Sequence, residues 1–544
     1  MSPAPKSRSL WIAISATIVP LLVLGVVEGC LRLTGVGYPT ALLTPCTVQG
    51  KPASCYNLFF AAPFFPAGSV QTPRLYSIPT QKPAGTYRIF VLGESAAMGD
   101  PDPAYGFSRY LEVMLRERFP GTKVEVVNTG SVAINSHVVL RIAQQLANQR
   151  PDLFIIYSGN NEVVGPYGPG TVLTSSAISI PVIRSSIFLR STRVGQLVTK
   201  LGTQKKTWQG MEMFLDKQVR ANSPLMQQVS ANYERNLRDT IAVARAAGAQ
   251  VIVATAATNL EDCAPFASLH RDGIKAEEVK QWSSLVQRGT ELEAARSFSE
   301  AVELYRAASK IDNEYAELEF RIARCLKNLG NANSANEHFQ RARDLDTLRF
   351  RADTRINDIN RSVPAAYSGV ALVDTESLFS SASRDGIVGS DFVYEHVHMT
   401  PMGSFLFARA IYWQVAGKLA NGPVAEAPSE TECERMLALT ANDRSRIAQE
   451  MLRRIQRAPF TQQLNHPEQV QRFELQAESM SETPNDTALQ YQWAIARDPQ
   501  DSMLRYNFGM FLFAYNRAAA AEQLAMAQPW DGFPVFLPDG TQIR

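Results

Sequence analysis

Five short apolar runs constrain this chain more than any other feature. They are YRIFVLG (87–93), KVEVVN (123–128), LFIIYSG (153–159), QVIVAT (250–255) and GVALVD (369–374). Between them lie stretches of helical period, among them FSRYLEVMLRERF, HVVLRIAQQLANQR and NYERNLRDTIAVARAAG. Runs of four to six apolar residues with little polar alternation are the pattern of strands buried on both faces. Alternation with amphipathic helices predicts a parallel sheet covered on both sides, and the handedness of the crossovers makes it doubly wound. The chain has 544 residues, 45% of them hydrophobic, so more than one domain is expected and wholesale disorder is excluded. Net charge is +2 with no basic or acidic run, and nothing points to nucleic acid.

The N-terminus carries a second constraint. Lys6 and Arg8 precede an uncharged stretch, Leu10 to Val27. Its 18 residues as a helix span roughly 27 Å, about one hydrocarbon thickness. Positive charge ahead of the span favours a cytoplasmic N-terminus and an extracytoplasmic body, periplasmic or extracellular. No clean small-residue cleavage signal follows, so the stretch reads as an uncleaved signal anchor. Six cysteines occur without a CxxC pair, which argues against a zinc ribbon. Cys46 and Cys55 close a short loop just past the anchor, and a disulfide there suits an exported body. Cys263 and Cys433 are a second candidate pair; Cys325 lies in a helical pattern and reads as core.

The chain divides into a signal anchor (1–35), an irregular membrane-proximal segment (36–80), a first part of the α/β domain (81–282), a helical insertion (283–350), a second part of the α/β domain (351–425) and a C-terminal helical region (426–544). The excursion 163–225 is too long for a simple crossover. It holds a Gly/Pro turn and an apolar-basic stretch, and reads equally as a lid over a pocket or as a packing extension. In the insertion, Ala301, Tyr305, Ala308 and Asp312 recur 34 residues later as Ala335, Phe339, Ala342 and Asp346. Leu292 and Leu326 share that shift. The period and the placing of small and aromatic residues resemble the tetratricopeptide repeat. Two such units need a neighbour to bury their faces, so a protein partner through them is one expectation. A weaker echo surrounds Tyr491, Ala494 and Pro499.

Four blocks carry the chemistry. Gly93-Glu94-Ser95 follows the first strand, where a strand-to-helix turn exposes the hydroxyl at the sheet's carboxyl edge and the helix start offers backbone N–H groups. Asn128-Thr129-Gly130 follows the second strand, and Gly159-Asn160-Asn161-Glu162 the third; a glycine N–H and an asparagine amide there can donate to an oxyanion. Glu395-His396-Val397-His398 precedes a helix near Pro401. A carboxylate three residues before a histidine can hold one ring nitrogen while the other faces the serine. His396 lacks such a partner, since Val393 stands in that place. His270, after the fourth strand, is either pocket-lining or a solvated loop residue. The six histidines show no metal spacing, and neither a metal nor another cofactor is expected.

These blocks, in this order, resemble the SGNH/GDSL hydrolase superfamily over about 81–275 and 351–420. The resemblance implies a three-layer, flavodoxin-like α/β fold and metal-free ester hydrolysis. It implies Ser95 as nucleophile, His398 as base, and Ser95 N–H, Gly130 and Asn161 as oxyanion donors. HVHMTPMG and GNNE resemble a bacterial branch with membrane anchors and tetratricopeptide repeats. The chain departs from the family pattern in GES for GDS and ExxH for DxxH. Glu94 is then a turn-stabilising residue and Glu395 the triad acid, with Asp391 as a fallback on the same loop. The expected function is an exported, membrane-anchored serine esterase acting on O-acylated envelope glycans or lipid-like esters. The alternatives are an O-acyltransferase with the same triad and a non-catalytic scaffold working through the repeats.

Overall fold

The computed structural model describes residues 6–543 except 67, 72, 74, 175, 177–178, 203–206, 421 and 479–481, and omits the side chains of 6–17 and 201–202. The chain opens with helix α1 (Lys6–Leu33). It covers the expected anchor, whose first eight residues fall where side chains are not described; from Ile18 to Val27 its apolar side chains are exposed. Among the described residues, no helix is long and apolar enough to cross a membrane.

The segment expected to be irregular instead forms a three-stranded antiparallel sheet of β1 (Leu43–Val48), β2 (Lys51–Tyr56) and β3 (Ser77–Pro79). Pro45, Pro52 and Pro79 within these strands hide them from a propensity reading. The β1–β2 connection is the two-residue turn Gln49-Gly50, both at positive φ (50° and 72°), as a tight hairpin requires. The Asp531 carboxylate accepts both turn N–H groups at 2.9 Å. Cys46 and Cys55 form the expected disulfide. Cys263 and Cys433, offered as a second pair, are separate buried thiols.

The main sheet is five-stranded and wholly parallel: β4 (Thr86–Gly93), β5 (Lys123–Asn128), β6 (Leu153–Tyr157), β7 (Gln250–Ala254) and β8 (Val370–Val373), in the spatial order β5-β4-β6-β7-β8. This is the flavodoxin-like order, and the fold is the three-layer α/β arrangement expected. The five strands match the five apolar runs to within two residues at either end. They are legible because Ile89 to Leu92 and Leu153 to Tyr157 are buried on both faces.

After β4 come α2 (Ser95–Met98) and α3 (Phe107–Arg118); α4 (Ser136–Leu146) follows β5. The 163–225 excursion contains α5 (Ile180–Ser191) and α6 (Arg193–Gly202), and α7 (Pro224–Ala246) leads back to β7. The insertion is four helices, α8 (Ala276–Ala294), α9 (Phe298–Ser309), α10 (Ala316–Asn328) and α11 (Ala332–Leu345), starting earlier than the expected residue 283. They make two helical hairpins. The repeated Ala301, Tyr305 and Ala308 and their counterparts Ala335, Phe339 and Ala342 are all buried in one cluster. The repeated aspartates act elsewhere. Asp312 accepts from Arg271 N–H at 3.2 Å and contacts the His270 ring at 2.7 Å, and Asp346 accepts from Phe266 and Ala267 N–H. Both aspartates thereby pin the insertion to the loop after β7.

Helix α12 (Thr354–Ala365) leads into β8, and α13 (Thr375–Ala382) and α14 (Pro401–Leu419) follow it. Helix α14 packs along α3, with Phe107 and Phe407 rings 4.5 Å apart and Tyr157 of β6 against Phe407. Helices α4, α7 and α12 pack together as the other layer. The C-terminal region is helical as expected: α15 (Glu430–Leu437), α16 (Ala441–Ile455), α17 (His466–Glu478), α18 (Pro484–Arg497), α19 (Ser502–Leu512) and α20 (Arg517–Met526). It is bolted to the loop between α2 and α3 and to α3 itself by ion pairs of Asp501 with Arg109, Asp498 with Arg116 and Arg446 with Asp102.

One position bears the crossing of β4 and β6. A Cβ on Gly93 would lie 1.9 Å from the Tyr157 carbonyl oxygen and 2.6 Å from Ala97 Cβ. Gly93→Ala therefore has to part the two central strands or shift the Ser95 turn. It is expected to cost about 3 kcal/mol, read as a lowered midpoint in denaturant unfolding. An unchanged midpoint would show that the strands carry no such constraint.

Candidate active site

In an open parallel sheet, the connections from two adjacent central strands leave in opposite directions and open a crevice at the carboxyl edge. Here those strands are β4 and β6. Ser95 follows β4 as the first residue of α2, and Asn161 follows β6. Gly130 follows β5 and packs directly on α2, since a Cβ there would meet Met98 N at 2.5 Å. The loop 395–398, ahead of α14, brings its histidine to the same edge.

The structure joins three of the expected residues. His398 Nε2 lies 2.8 Å from Ser95 Oγ, and His398 Nδ1 is hydrogen-bonded to Glu395 Oε1. Glu395 Oε2 accepts the N–H groups of His396 (2.8 Å), Val397 (3.3 Å) and His398 (3.1 Å). Those three donors take up the extra methylene of glutamate: they fix one oxygen in the loop and leave the other on the imidazole. Asp391 is not the partner; its side chain is exposed, and its carbonyl accepts from Thr400.

The charges around His398 come from both sides. Burial pulls the His398 pKa down, but Glu395 and Asp100 outweigh it and leave the pKa raised. Burial likewise opposes ionisation of Glu395, yet His398 and His396 hold it well below the usual carboxylate range. His396 is buried against Phe266, Phe350 and Phe460, and burial lowers its pKa. Its Nδ1 is 3.3 Å from Glu395 Oε1 without a directed hydrogen bond.

Asp100 is a site residue that the motif reading did not single out. Its carboxylate is 3.3 Å from His398 Nε2, its N–H donates to the Ser95 carbonyl at 3.1 Å, and Arg454 of α16 grips it through both nitrogens of the guanidinium end. Burial works against its charge, but His398 and Arg454 keep its pKa low. A carboxylate five residues past the serine was a visible signal. Arg454, 354 residues from Asp100, gave none.

The expected oxyanion donors differ in availability. Asn161 is half-buried, and among the described residues no hydrogen bond engages its side chain. Gly130 N–H already donates to Asn128 Oδ1 at 2.9 Å, while Asn128 Nδ2 donates to Ala97 O and Ser108 Oγ. Asn128 thus ties the end of β5 to the serine turn. Glu94 plays the supporting part expected of it. Fully buried, it accepts Gly159 N–H (3.0 Å) and Asn160 N–H (2.9 Å), lashing the loop after β6 to the serine turn. Burial and the neighbouring Glu162 push its pKa up to about 8, against the pull of those donors. Glu162, raised by burial to about 7, is bonded to Ser136 N–H and Oγ at the start of α4.

His270 is neither pocket-lining nor a free loop residue. It is bonded to Asp312 and lies 4.7 Å from the Trp282 ring, at the root of the insertion. Glu395, His396 and His398 place three possible metal-donor atoms within 4.8 Å of one another. Both ring nitrogens of His398 are committed, one to Glu395 and one to Ser95, so the set fits a proton relay better than a cation.

No family model matches the chain, and no curated protein matches it. Three solved structures illustrate the likeness found by shape. A lipase/acylhydrolase from Enterococcus faecalis is 11% identical with a TM-score of 0.28, over 62% of this chain and 99% of its own. A putative GDSL-like lipase from Parabacteroides merdae is 12% identical with a TM-score of 0.27, over 61% and 96%. An acetylxylan esterase from Geobacillus stearothermophilus is 11% identical with a TM-score of 0.27, over 62% and 97%. At these scores the fold assignment rests on the strand order itself.

The neutral imidazole is the form that can take a proton, and two carboxylates stabilise the imidazolium. Modification of Ser95 by a fluorophosphonate, followed by intact mass, should therefore be lost as pH falls through an apparent pKa above the ordinary histidine value. Asp100→Asn removes one of those carboxylates and should move that limb to lower pH. Arg454→Gln removes an opposing charge and should move it higher. A limb that stays in place in both variants would remove Asp100 and Arg454 from the electrostatics of the base.

Proposed function

We propose that the chain is a serine esterase held at a membrane by α1, with its body outside the cytoplasm. The observation that carries the reading is the continuous relay from Ser95 Oγ through His398 to Glu395 at the crevice between β4 and β6. His398 takes the Ser95 proton as Oγ attacks an ester carbonyl, and Glu395 steadies the imidazolium that forms. The carbonyl oxygen becomes an oxyanion that receives hydrogen bonds from Ser95 N–H and the Asn161 amide. Gly130 N–H joins by sharing its bond to Asn128. The alkoxide leaves with the proton from His398, giving an acyl-serine and an alcohol. Water, deprotonated by the same histidine, then releases the carboxylic acid and restores the serine.

The location is supported by the uncharged Leu10–Val27 stretch behind Lys6 and Arg8, and by the Cys46–Cys55 disulfide just past α1. The substrate class proposed with that location is an O-acyl group on an envelope glycan or a lipid-like ester.

Hydrolysis of p-nitrophenyl acetate by the full-length protein in detergent tests the chemistry. Ser95→Ala and His398→Ala should each fall to background with unchanged circular dichroism. Asn161→Ala should lose about 10²–10³ in kcat, the usual effect of one oxyanion donor. Full activity in Ser95→Ala would overturn the proposal.

A further inference from the structure

Between Glu162 and Glu212 the chain has no acidic residue, yet it carries Arg184, Arg190, Arg193, Lys200, Lys205 and Lys206. The helices in that interval also turn apolar residues outward: α5 buries Ile183 and Ile187 against the body and still shows apolar side chains on its outer side. On α5, Val182, Phe188 and Leu189 are 59%, 65% and 59% exposed, whereas Arg184 turns inward to Asn236 and Asp239 of α7. On α6, Val198 is 66% exposed while Gln196 is buried. A helix packed on a water-soluble body turns a polar face outward, and contiguous exposed apolar surface marks an interaction site.

What the patch faces follows from where α1 joins it. Glu28 of α1 accepts Val194 N–H of α6 at 3.0 Å. The Gln196 amide brackets Tyr38, accepting its N–H at 3.0 Å and donating to its carbonyl at 2.9 Å. Around the same junction Leu33 is 90% exposed, and the exposed Phe59 stacks on Tyr38 at 4.8 Å. The exposed apolar side chains of α1 from Ile18 to Val27 therefore end where α1 meets α6. Behind Phe188 lies a small cavity of about 90 Å³ lined by Arg141 and Arg184 among others, with Arg184 paired to Asp239. None of the described hydrogen bonds of α5 or α6 reaches Ser95, Glu395 or His398; their partners are α1, α7, the segment around Tyr38 and Phe65, and Tyr167 in the loop after β6, whose hydroxyl is 3.3 Å from Ser186 Oγ.

We propose that α5 and α6 form a membrane-contact face that lies in the interface of an anionic bilayer beside the exit of α1. Phe188, Leu189 and Val198 enter the headgroup–acyl boundary, and Arg190, Arg193 and Lys200 meet anionic headgroups. The inference rests on the anchoring reading above. It gives the 163–225 excursion a role as a second membrane attachment, fixing the orientation of the hydrolase body rather than covering the serine.

The test uses the full chain in lipid nanodiscs, with Cys30→Ser removing the one exposed thiol. A bimane probe is placed in turn at Phe188→Cys, at Leu22→Cys in α1 and at Tyr506→Cys on the C-terminal region. With phosphatidylcholine–phosphatidylglycerol discs carrying spin-labelled lipid, the probes at 188 and 22 should be blue-shifted and quenched, and the probe at 506 should not. Quenching at 188 should weaken in discs of phosphatidylcholine alone and in Arg190→Gln/Arg193→Gln. Quenching at 22 without quenching at 188 would overturn the contact face and leave the anchor standing. Quenching at neither would overturn the anchor, and the contact face with it.

Discussion

Everything at the serine depends on how closely β4 and β6 run at their carboxyl ends. Gly93 has no side chain because the Tyr157 carbonyl occupies the space. That approach sets the serine turn beside the loop after β6, and the two loops are then sewn together by one buried carboxylate. Glu94 takes N–H groups from Gly159 and Asn160, which also settles where Asn161 begins. The neighbouring strand contributes through Asn128, whose amide binds α2 from the other side. The serine turn is therefore held by backbone and buried amides, the kind of rigid support that the proposed chemistry would use.

The electrostatics are arranged in layers of compensation. Burial opposes ionisation of Glu395, Asp100 and His398 alike, and the three offset one another. A lone buried charge would cost several kcal/mol; here each faces an opposite charge. Arg454 completes the set from α16, so the C-terminal helical region is a structural part of the site rather than an appendage. The ion pairs of Asp501 with Arg109 and Arg446 with Asp102 hold that region on the same loop and helix that carry Asp100.

How much was legible in the sequence follows from the range of each interaction. The five strands of the main sheet could be read because burial on both faces leaves continuous apolar runs, and the meeting of Ser95, His398 and Glu395 because each sits at a strand end or helix start within a short block. The β1–β3 sheet could not, since its prolines argue against strand and its support comes from Asp531, near the other end of the chain. Arg454 was invisible for a similar reason: in an amphipathic helix it reads as one surface cation among several. The Gly130 N–H reads as a free donor in sequence, and only the structure reveals Asn128 on it. The insertion's repeat was apparent from its period, but the attachment of Asp312 and Asp346 to the loop after β7 was not.

The proposed ester chemistry requires Ser95, His398 and Glu395 to work with donors gathered at one sheet edge. A crystal structure of the protein after reaction with a small fluorophosphonate tests it most directly. Phosphorus should be bonded to Ser95 Oγ, with the phosphoryl oxygen within hydrogen-bond reach of Ser95 N, Asn161 Nδ2 and Gly130 N. Adduct formation on another residue, or a phosphoryl oxygen turned away from Asn161 and Gly130, would contradict it.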